Sequence, residues 1–147
     1  MSPKSLLRHK LCVSRLDQFR TGTRFMRVLE ETETLVADAK VRRVLLCSGK
    51  VYYDLLEERT KRGIKDVAIV RVEQLYPWPK DAVKAQLARY PDAELVWVQE
   101  EPANMGPWTF VDRRIEFICE ELEIKAKQAL FCGRRSAASP ATGLYKT

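Results

Sequence analysis

Three polar strings follow apolar runs and could take part in chemistry at one edge of a sheet. Ser48, Gly49 and Lys50 follow the first run, Gln74 follows the second, and a polar stretch follows the third. A glycine and a lysine at the start of a helix present free N–H groups and a positive charge, which suit a phosphate. The sequence therefore predicts an effector or anion site, formed by Ser48, Gly49, Lys50 and Gln74. A plain strand-to-helix turn capped by Ser48 fits the same residues.

Polar and aromatic residues in the last third of the chain are typical of an interface. Glu100 and Glu101 are adjacent in an extended segment, so their carboxylates point to opposite sides and do not form an acid–base pair on one substrate. We interpret them as forming a structural salt link or a subunit contact. Trp108 follows a proline, where an indole often anchors a contact. The predicted interface residues are Gln99, Glu100, Glu101, Asn104, Trp108, Arg134 and Ser139.

The residue types needed for a self-contained catalytic or metal site are scarce. His9 is the only histidine, and the four cysteines form no CxxC pair, so we predict neither catalytic residues nor a metal site. Cys47 and Cys132 lie in strand-like runs and Cys119 on an apolar helical stripe. We expect all three thiols to be buried, in a reducing compartment.

Strands and helices alternate along the chain and must position these residues. Continuous apolar runs predict buried strands, and spacings of three and four predict helices. The predicted strands cover 44–47, 67–72, 94–98 and 129–132, with a short apolar piece of Phe25, Met26, Val28 and Leu29 as an edge strand, and the helices cover 50–62, 79–89 and a segment from 108 onward. We predict an α/β fold, a mostly parallel open sheet with helices on both faces.

A chain of 147 residues has room for one domain and excludes a whole multi-domain enzyme. We assign 1–147 to that domain, with 1–22 as a linker or arm, 99–107 as a polar loop and 133–147 as a tail. No apolar run approaches the roughly 20 residues of a membrane span, and the first residues lack the apolar core of a secretory signal.

The net charge is +6, which by itself allows nucleic acid, acidic lipid or an anionic partner. Basic and acidic residues alternate through the middle of the chain, and the excess lies at the two ends. No aromatic–basic stripe supports nucleic-acid binding, so we expect neither nucleic acid nor membrane as a partner. End-loaded charge favours segments that dock on something acidic.

Several longer strings together resemble one family. They are MSPKSLLRH (1–9), VRRVLLCSGKVYYDLLEER (41–59), DVAIVRVEQLYPWP (66–79), VWVQEEPANMGPW (96–108) and FCGRRSAASPATG (131–143). In this order and spacing they resemble the C-terminal domain of the thiamine-dependent component of 2-oxoglutarate dehydrogenase. The resemblance covers nearly the whole chain.

The resemblance implies a transketolase C-terminal fold that helps to build a homodimer. The parent enzyme decarboxylates 2-oxoglutarate on thiamine diphosphate and Mg²⁺ and succinylates a lipoyl group of the succinyltransferase component. The ligands of both cofactors lie in preceding domains, so this chain is expected to bind neither and to be inactive alone. The implied partners are the remaining domains, the twin subunit and the succinyltransferase. The implied location is the bacterial cytoplasm, or the mitochondrial matrix of a eukaryote.

Some members of this family bind acetyl-CoA in the same domain. Gln74 matches their pattern, but Asp81 and Ala82 occupy the positions of a paired arginine, so we expect no acetyl-CoA regulation. The alternative function is a free-standing nucleotide- or CoA-binding regulatory module. Because similar residues lie deep inside longer chains of the family, Met1 is expected not to be a natural start.

Overall fold

The computed structural model describes residues 3–141. A five-stranded sheet has the order β1-β3-β2-β4-β5. The strands are β1 (Val28–Leu29), β2 (Arg43–Cys47), β3 (Val67–Val72), β4 (Glu94–Pro102) and β5 (Leu130–Arg134). β1 is antiparallel to β3, and the other neighbours are parallel. The mostly parallel sheet is confirmed, and so is the predicted edge strand, which covers Val28 and Leu29 only.

Within residues 3–141, three α-helices cover both faces of the sheet, as predicted. They are α1 (Val51–Lys61), α2 (Lys80–Leu87) and α3 (Trp108–Leu122). On one face, Tyr52 and Leu56 of α1 pack against strand residues such as Val98. On the other face, α2 and α3 bury apolar residues against Leu46 and Trp97. β2 contributes to both clusters, which explains its unbroken apolar run.

The strand order reverses between β2 and β4, the central pair of the sheet. β2 leads through α1 to β3 on one side, and β4 lies on the other side. In open parallel sheets the carboxyl ends of such a pair border a crevice. Residues 48–50 after β2 and the end of β4 therefore face each other across this crevice.

β4 and β5 are longer than the sequence predicts. The polar residues Gln99–Glu101 were expected in a loop, but β4 continues to Pro102 and β5 to Arg134. Pro102 pairs with Arg134 beyond a register shift that follows Val98. The prediction was wrong because backbone pairing carries the strand past the end of its apolar run. The first two residues assigned to the tail, Gly133 and Arg134, are therefore strand.

The cysteines differ in burial. Cys47 and Cys119 are buried as predicted, but Cys132 is exposed, and all four thiols are free. Phe131 packs on Trp108 of α3, so its neighbour Cys132 points to the α1 face. β5 is the edge strand and α1 does not reach it, which is why the prediction for Cys132 was wrong.

A buried ion pair closes the part of the β3 edge that the short β1 leaves open. Arg59 and Glu31 are each 6% exposed. The Ile69 N–H donates to Glu31 at 2.7 Å, and Arg59 donates to the Val67 carbonyl at 2.9 Å. These side chains thus replace a strand partner for two backbone groups.

Burial alone raises the pKa of Glu31, but hydrogen bonds from Arg59 and from the Ile69 and Glu33 N–H groups outweigh it and hold this pKa below its ordinary value. The carboxylate therefore stays ionised inside the domain.

Within the described residues no helix is long and apolar enough to cross a membrane.

Candidate functional site

Gln99 is the hub of the crevice at the carboxyl end of β4. Its side chain is buried, and its Oε1 accepts hydrogen bonds from the Trp97 indole and the Trp108 N–H, both at 3.0 Å. Its Nε2 donates to the carbonyls of Met105 at 2.7 Å and Pro102 at 3.1 Å. The amide has two acceptor and two donor positions, and all four are used.

The hub holds a loop against the sheet. Gln99 joins the strand β4, the loop 103–107 and the first residue of α3 through one side chain. Gly106 lies in this loop with φ +66°, and a Cβ there would come within 3.1 Å of the Gln99 Nε2. The loop therefore needs a glycine at this position for both its backbone conformation and its close approach.

Lys50 and Glu100 form an ion pair across the crevice. The pair joins the turn after β2 to the end of β4, and Arg134 Nε donates to the Glu100 carbonyl at 3.1 Å. Glu101 lies on the other side of the strand, close to Gly106. The two carboxylates therefore point apart, and Glu100 makes a structural salt link, which is one of the two interpretations given for this pair.

Two residues of the predicted anion site, Lys50 and Gln74, have other partners. Glu100 takes the Lys50 charge, and the Gln74 Nε2 donates to the Pro77 carbonyl at 2.8 Å. Gly49 adopts φ +74° with open space beside it. The N-cap of α1 is Lys50 and makes no side-chain capping bond, so the expected cap by Ser48 is wrong. Anion binding here stays a prediction.

Asn104 and Arg134 hold the segment after β5. Asn104 exchanges two hydrogen bonds of 3.0 Å with the backbone of Ala137, and Arg134 donates to the Pro140 carbonyl. Ser139 donates to the Ala141 carbonyl at 2.5 Å. These predicted interface residues order their own segment, up to the last described residue. Whether they contact another chain stays a prediction.

Sequence reasoning missed an aromatic and basic cluster at the carboxyl end of β3. The guanidinium carbon of Arg71 lies 4.4 Å from the ring centroid of Tyr52 and 5.6 Å from that of Tyr53. Glu73 accepts from Arg71 Nε at 2.8 Å. The arginine inside an apolar run was the available signal, because a strand buried on both faces accepts a charge only where it finds partners.

A cavity of about 510 Å³ lies at the opposite end of the sheet, near Arg42, Arg43 and Lys125. Its arginines are paired, Arg42 with Asp66 at 2.9 Å and Arg43 with Glu94. The cavity is remote from every predicted site residue, because it borders the amino ends of the strands.

Over residues 3–141, His, Cys, Asp and Glu side chains form no group of three that could hold a metal ion. This finding does not test thiamine diphosphate and Mg²⁺, because Mg²⁺ is commonly held by one or two carboxylates together with phosphate oxygens. The expectation that the chain binds neither cofactor stays a prediction.

Comparison with known proteins decides the family. Residues 13–147 match the family described as 2-oxoglutarate dehydrogenase C-terminal. The chain belongs to this family. Relatives named 2-oxoglutarate dehydrogenase E1 component from Brucella anthropi and Brucella ovis are 52% and 51% identical to it. Each alignment covers 98% of this chain but only 15% of the relative's length.

Proposed function

We propose that the chain is the C-terminal packing domain of the thiamine-dependent component of 2-oxoglutarate dehydrogenase, with a transketolase C-terminal-like fold. It supplies surface to the rest of the subunit and to the twin subunit. The observation that carries the proposal is the alignment itself, which uses 98% of this chain and 15% of the relative. A chain that matches only 15% of the relative's length corresponds to one part of that enzyme.

The geometry of the crevice supports a structural role. The side chains of Gln99, Lys50 and Glu100 find their partners within the domain, through the Gln99 hub and the Lys50–Glu100 pair. Side chains locked by such bonds give a preformed surface, which lowers the entropy lost on association. The crevice is therefore suited to packing against another protein surface.

The other parts of the enzyme then carry out the chemistry. Decarboxylation of 2-oxoglutarate on thiamine diphosphate and transfer of the succinyl group to a lipoyl group belong to the parent, with the succinyltransferase as its partner. The relatives named above are bacterial, so the proposed location is the bacterial cytoplasm.

A chimera tests this proposal. The chain replaces the matching segment of the Brucella anthropi relative, and turnover of 2-oxoglutarate is followed with ferricyanide as electron acceptor. We expect the chimera to be active and dimeric, because 52% identity preserves the core that positions its surfaces. The same relative truncated before this segment is expected to lose the dimer and the activity.

An inactive chimera that sediments as a folded protein would contradict the proposal. Calorimetry of the chimera with AMP, CoA and acetyl-CoA tests the alternative, a regulatory module. We expect no heat of binding, because Glu100 already neutralises Lys50. Micromolar binding that Lys50→Ala abolishes would favour the alternative.

A further inference from the structure

The first 27 residues carry a positive surplus equal to the net charge of the chain, whereas the surplus at the C-terminal end is offset by acidic residues in the middle of the chain. The first 27 residues include seven basic residues and one acidic residue, and the remaining residues carry 19 of each sign. We call residues 3–27 the basic arm. Asp17 is its only acidic residue. An unbalanced segment beside a balanced domain points to an oppositely charged partner.

The basic arm is attached to the domain at both ends. Near its start, the His9 ring lies 5.2 Å from the ring of Tyr53 and its Nε2 lies 3.3 Å from Glu57. At its end, the Arg27 carbonyl accepts from the Glu73 and Gln74 N–H groups at 2.9 and 3.0 Å. The arm therefore begins and ends on the surface of the domain.

Between these anchors every residue from 13 to 27 is exposed. The hydrogen bonds found between Arg15 and Thr23 stay within the arm, such as the capping bond from the Arg15 N–H to Gln18 at 2.8 Å. The arm thus has local order without burial against the domain. Local order without burial is expected of a segment that binds a second surface.

Large apolar side chains share this exposed stretch with the charges. Leu16 is 88% exposed and Phe19 is 74% exposed. They lie three residues apart in the 3₁₀ turn Leu16–Phe19, so they project from the same side of the turn. Soluble proteins rarely leave such apolar groups together in water unless another surface covers them.

We propose that the basic arm docks on an acidic surface with apolar sockets, formed by the part of the same polypeptide that lies outside this chain. This inference rests on the proposed function. Two observations indicate this partner: 85% of the relative's length lies outside the alignment, and the arm supplies positive charge together with a Leu16–Phe19 ridge. Arginine and aromatic side chains are enriched at the centres of such interfaces.

The test uses trypsin on the chimera described above. Trypsin cleaves after accessible lysine and arginine residues. A surface that covers the arm should therefore slow its cleavage. The variant combines Arg20→Glu and Arg24→Glu, which spares the Arg15–Asp17 pair. The control combines Lys61→Glu and Lys65→Glu, two exposed positions outside the arm with the same change of charge.

We expect cleavage after Arg15 and Arg27 to become about tenfold faster in the arm variant and to stay unchanged in the control, because reversed charges repel an acidic surface. Leu16→Ser with Phe19→Ser should release the arm as well. High salt should accelerate cleavage in the chimera without substitutions (the parent chimera), since the Debye length falls from about 10 Å at 0.1 M to about 3 Å at 1 M.

Equal cleavage in variant and control overturns the inference, as does fast cleavage in the parent chimera. Protection that appears only with phosphatidylglycerol vesicles or duplex DNA also overturns it, and assigns the arm to lipid or nucleic acid. Turnover by the parent chimera separates the two hypotheses. An active chimera with a freely cut arm removes only this inference, whereas an inactive folded chimera removes the proposed function.

Discussion

The buried amide of Gln99 connects more of the crevice than any charged residue there. Its oxygen serves Trp97 and Trp108, and its nitrogen serves two loop carbonyls. A buried donor that loses its acceptor retains the full cost of its desolvation. The hub is therefore expected to contribute to both the stability of the domain and the order of its loop.

Gln99→Leu should lower the free energy of unfolding by about 1–3 kcal/mol for each buried group left without a partner. The Trp108 N–H should also exchange faster with solvent, since its acceptor is gone. Urea unfolding and hydrogen exchange measure both effects. Gln128→Leu, at an exposed position, is the control, and an equal loss in the two variants would contradict the role of the hub.

Glu31 gives a prediction of pH dependence. Its folded-state pKa lies below the ordinary value of 4.5. The carboxylate therefore contributes stability above about pH 4.5, and this contribution is lost as the pH falls through the lower folded value. Glu31→Gln should remove this part of the acid sensitivity, and Glu120→Gln, at an exposed site, should leave it.

Glu31→Ala should cost about 3–5 kcal/mol, because it leaves the buried Arg59 without its partner. Urea unfolding at pH 7 measures the loss. A change below that of an exposed control such as Glu120→Ala would show that the pair is open to water in solution.

The thiols give a separate prediction of reactivity. Burial raises the pKa of Cys47 to about 12 and that of Cys119 to about 11, whereas Cys132 is exposed on β5. Iodoacetamide at pH 8 should alkylate Cys132 first and Cys47 only on unfolding, because the thiolate is the nucleophile. Mass spectrometry over time reads the order, and early labelling of Cys47 would contradict it.

At the level of elements, the loop 103–107 and the turn after β2 both contain a glycine with positive φ. Gly106→Ala and Gly49→Ala each place an alanine in the left-handed region, at about 1–2 kcal/mol. Only Gly106 has neighbours within 4 Å of a new Cβ. Gly106→Ala should therefore cost about 1 kcal/mol or more beyond Gly49→Ala, and equal costs by urea unfolding would contradict the close packing.

The regular elements were predictable where burial alone decides them. The run Val67–Val72 is a strand at the predicted bounds, and the α3 stripe buries Val111, Ile115 and Ile118. The extension of β4 was not predictable, because Pro102 pairs with Arg134 of β5, which lies far along the chain, and a run of polar residues gives no local signal of that pairing. Glu31 likewise gave no local signal, since Arg59 lies 28 positions away.

The location of the candidate site was predictable, but the pairing of its polar side chains was not. The carboxyl ends of the strands were the expected place, and Lys50 and Glu100 do meet there. Which polar groups pair with each other depends on the strand order and on the register shift in β4. Neither is encoded in the spacing of one string, so the Lys50–Glu100 pair and the Gln99 hub come from the structure.

At the scale of the whole molecule, charge and polarity divide the chain into two parts. Residues 28–147 are electrically balanced, and the first 27 residues carry a surplus equal to the net charge of +6. The balanced part has its polar crevice satisfied from within, and the arm presents exposed charge and apolar groups. Both properties suit a domain that packs into a larger enzyme and leaves the chemistry to other domains.

The decisive measurement of the structural role is turnover of 2-oxoglutarate with thiamine diphosphate and Mg²⁺, with the isolated chain and the chimera assayed side by side. We expect ferricyanide to be reduced by the chimera, and the isolated chain to give the rate of buffer alone. Turnover by the isolated chain, abolished by substitutions in its own crevice such as Lys50→Ala, would contradict the structural role.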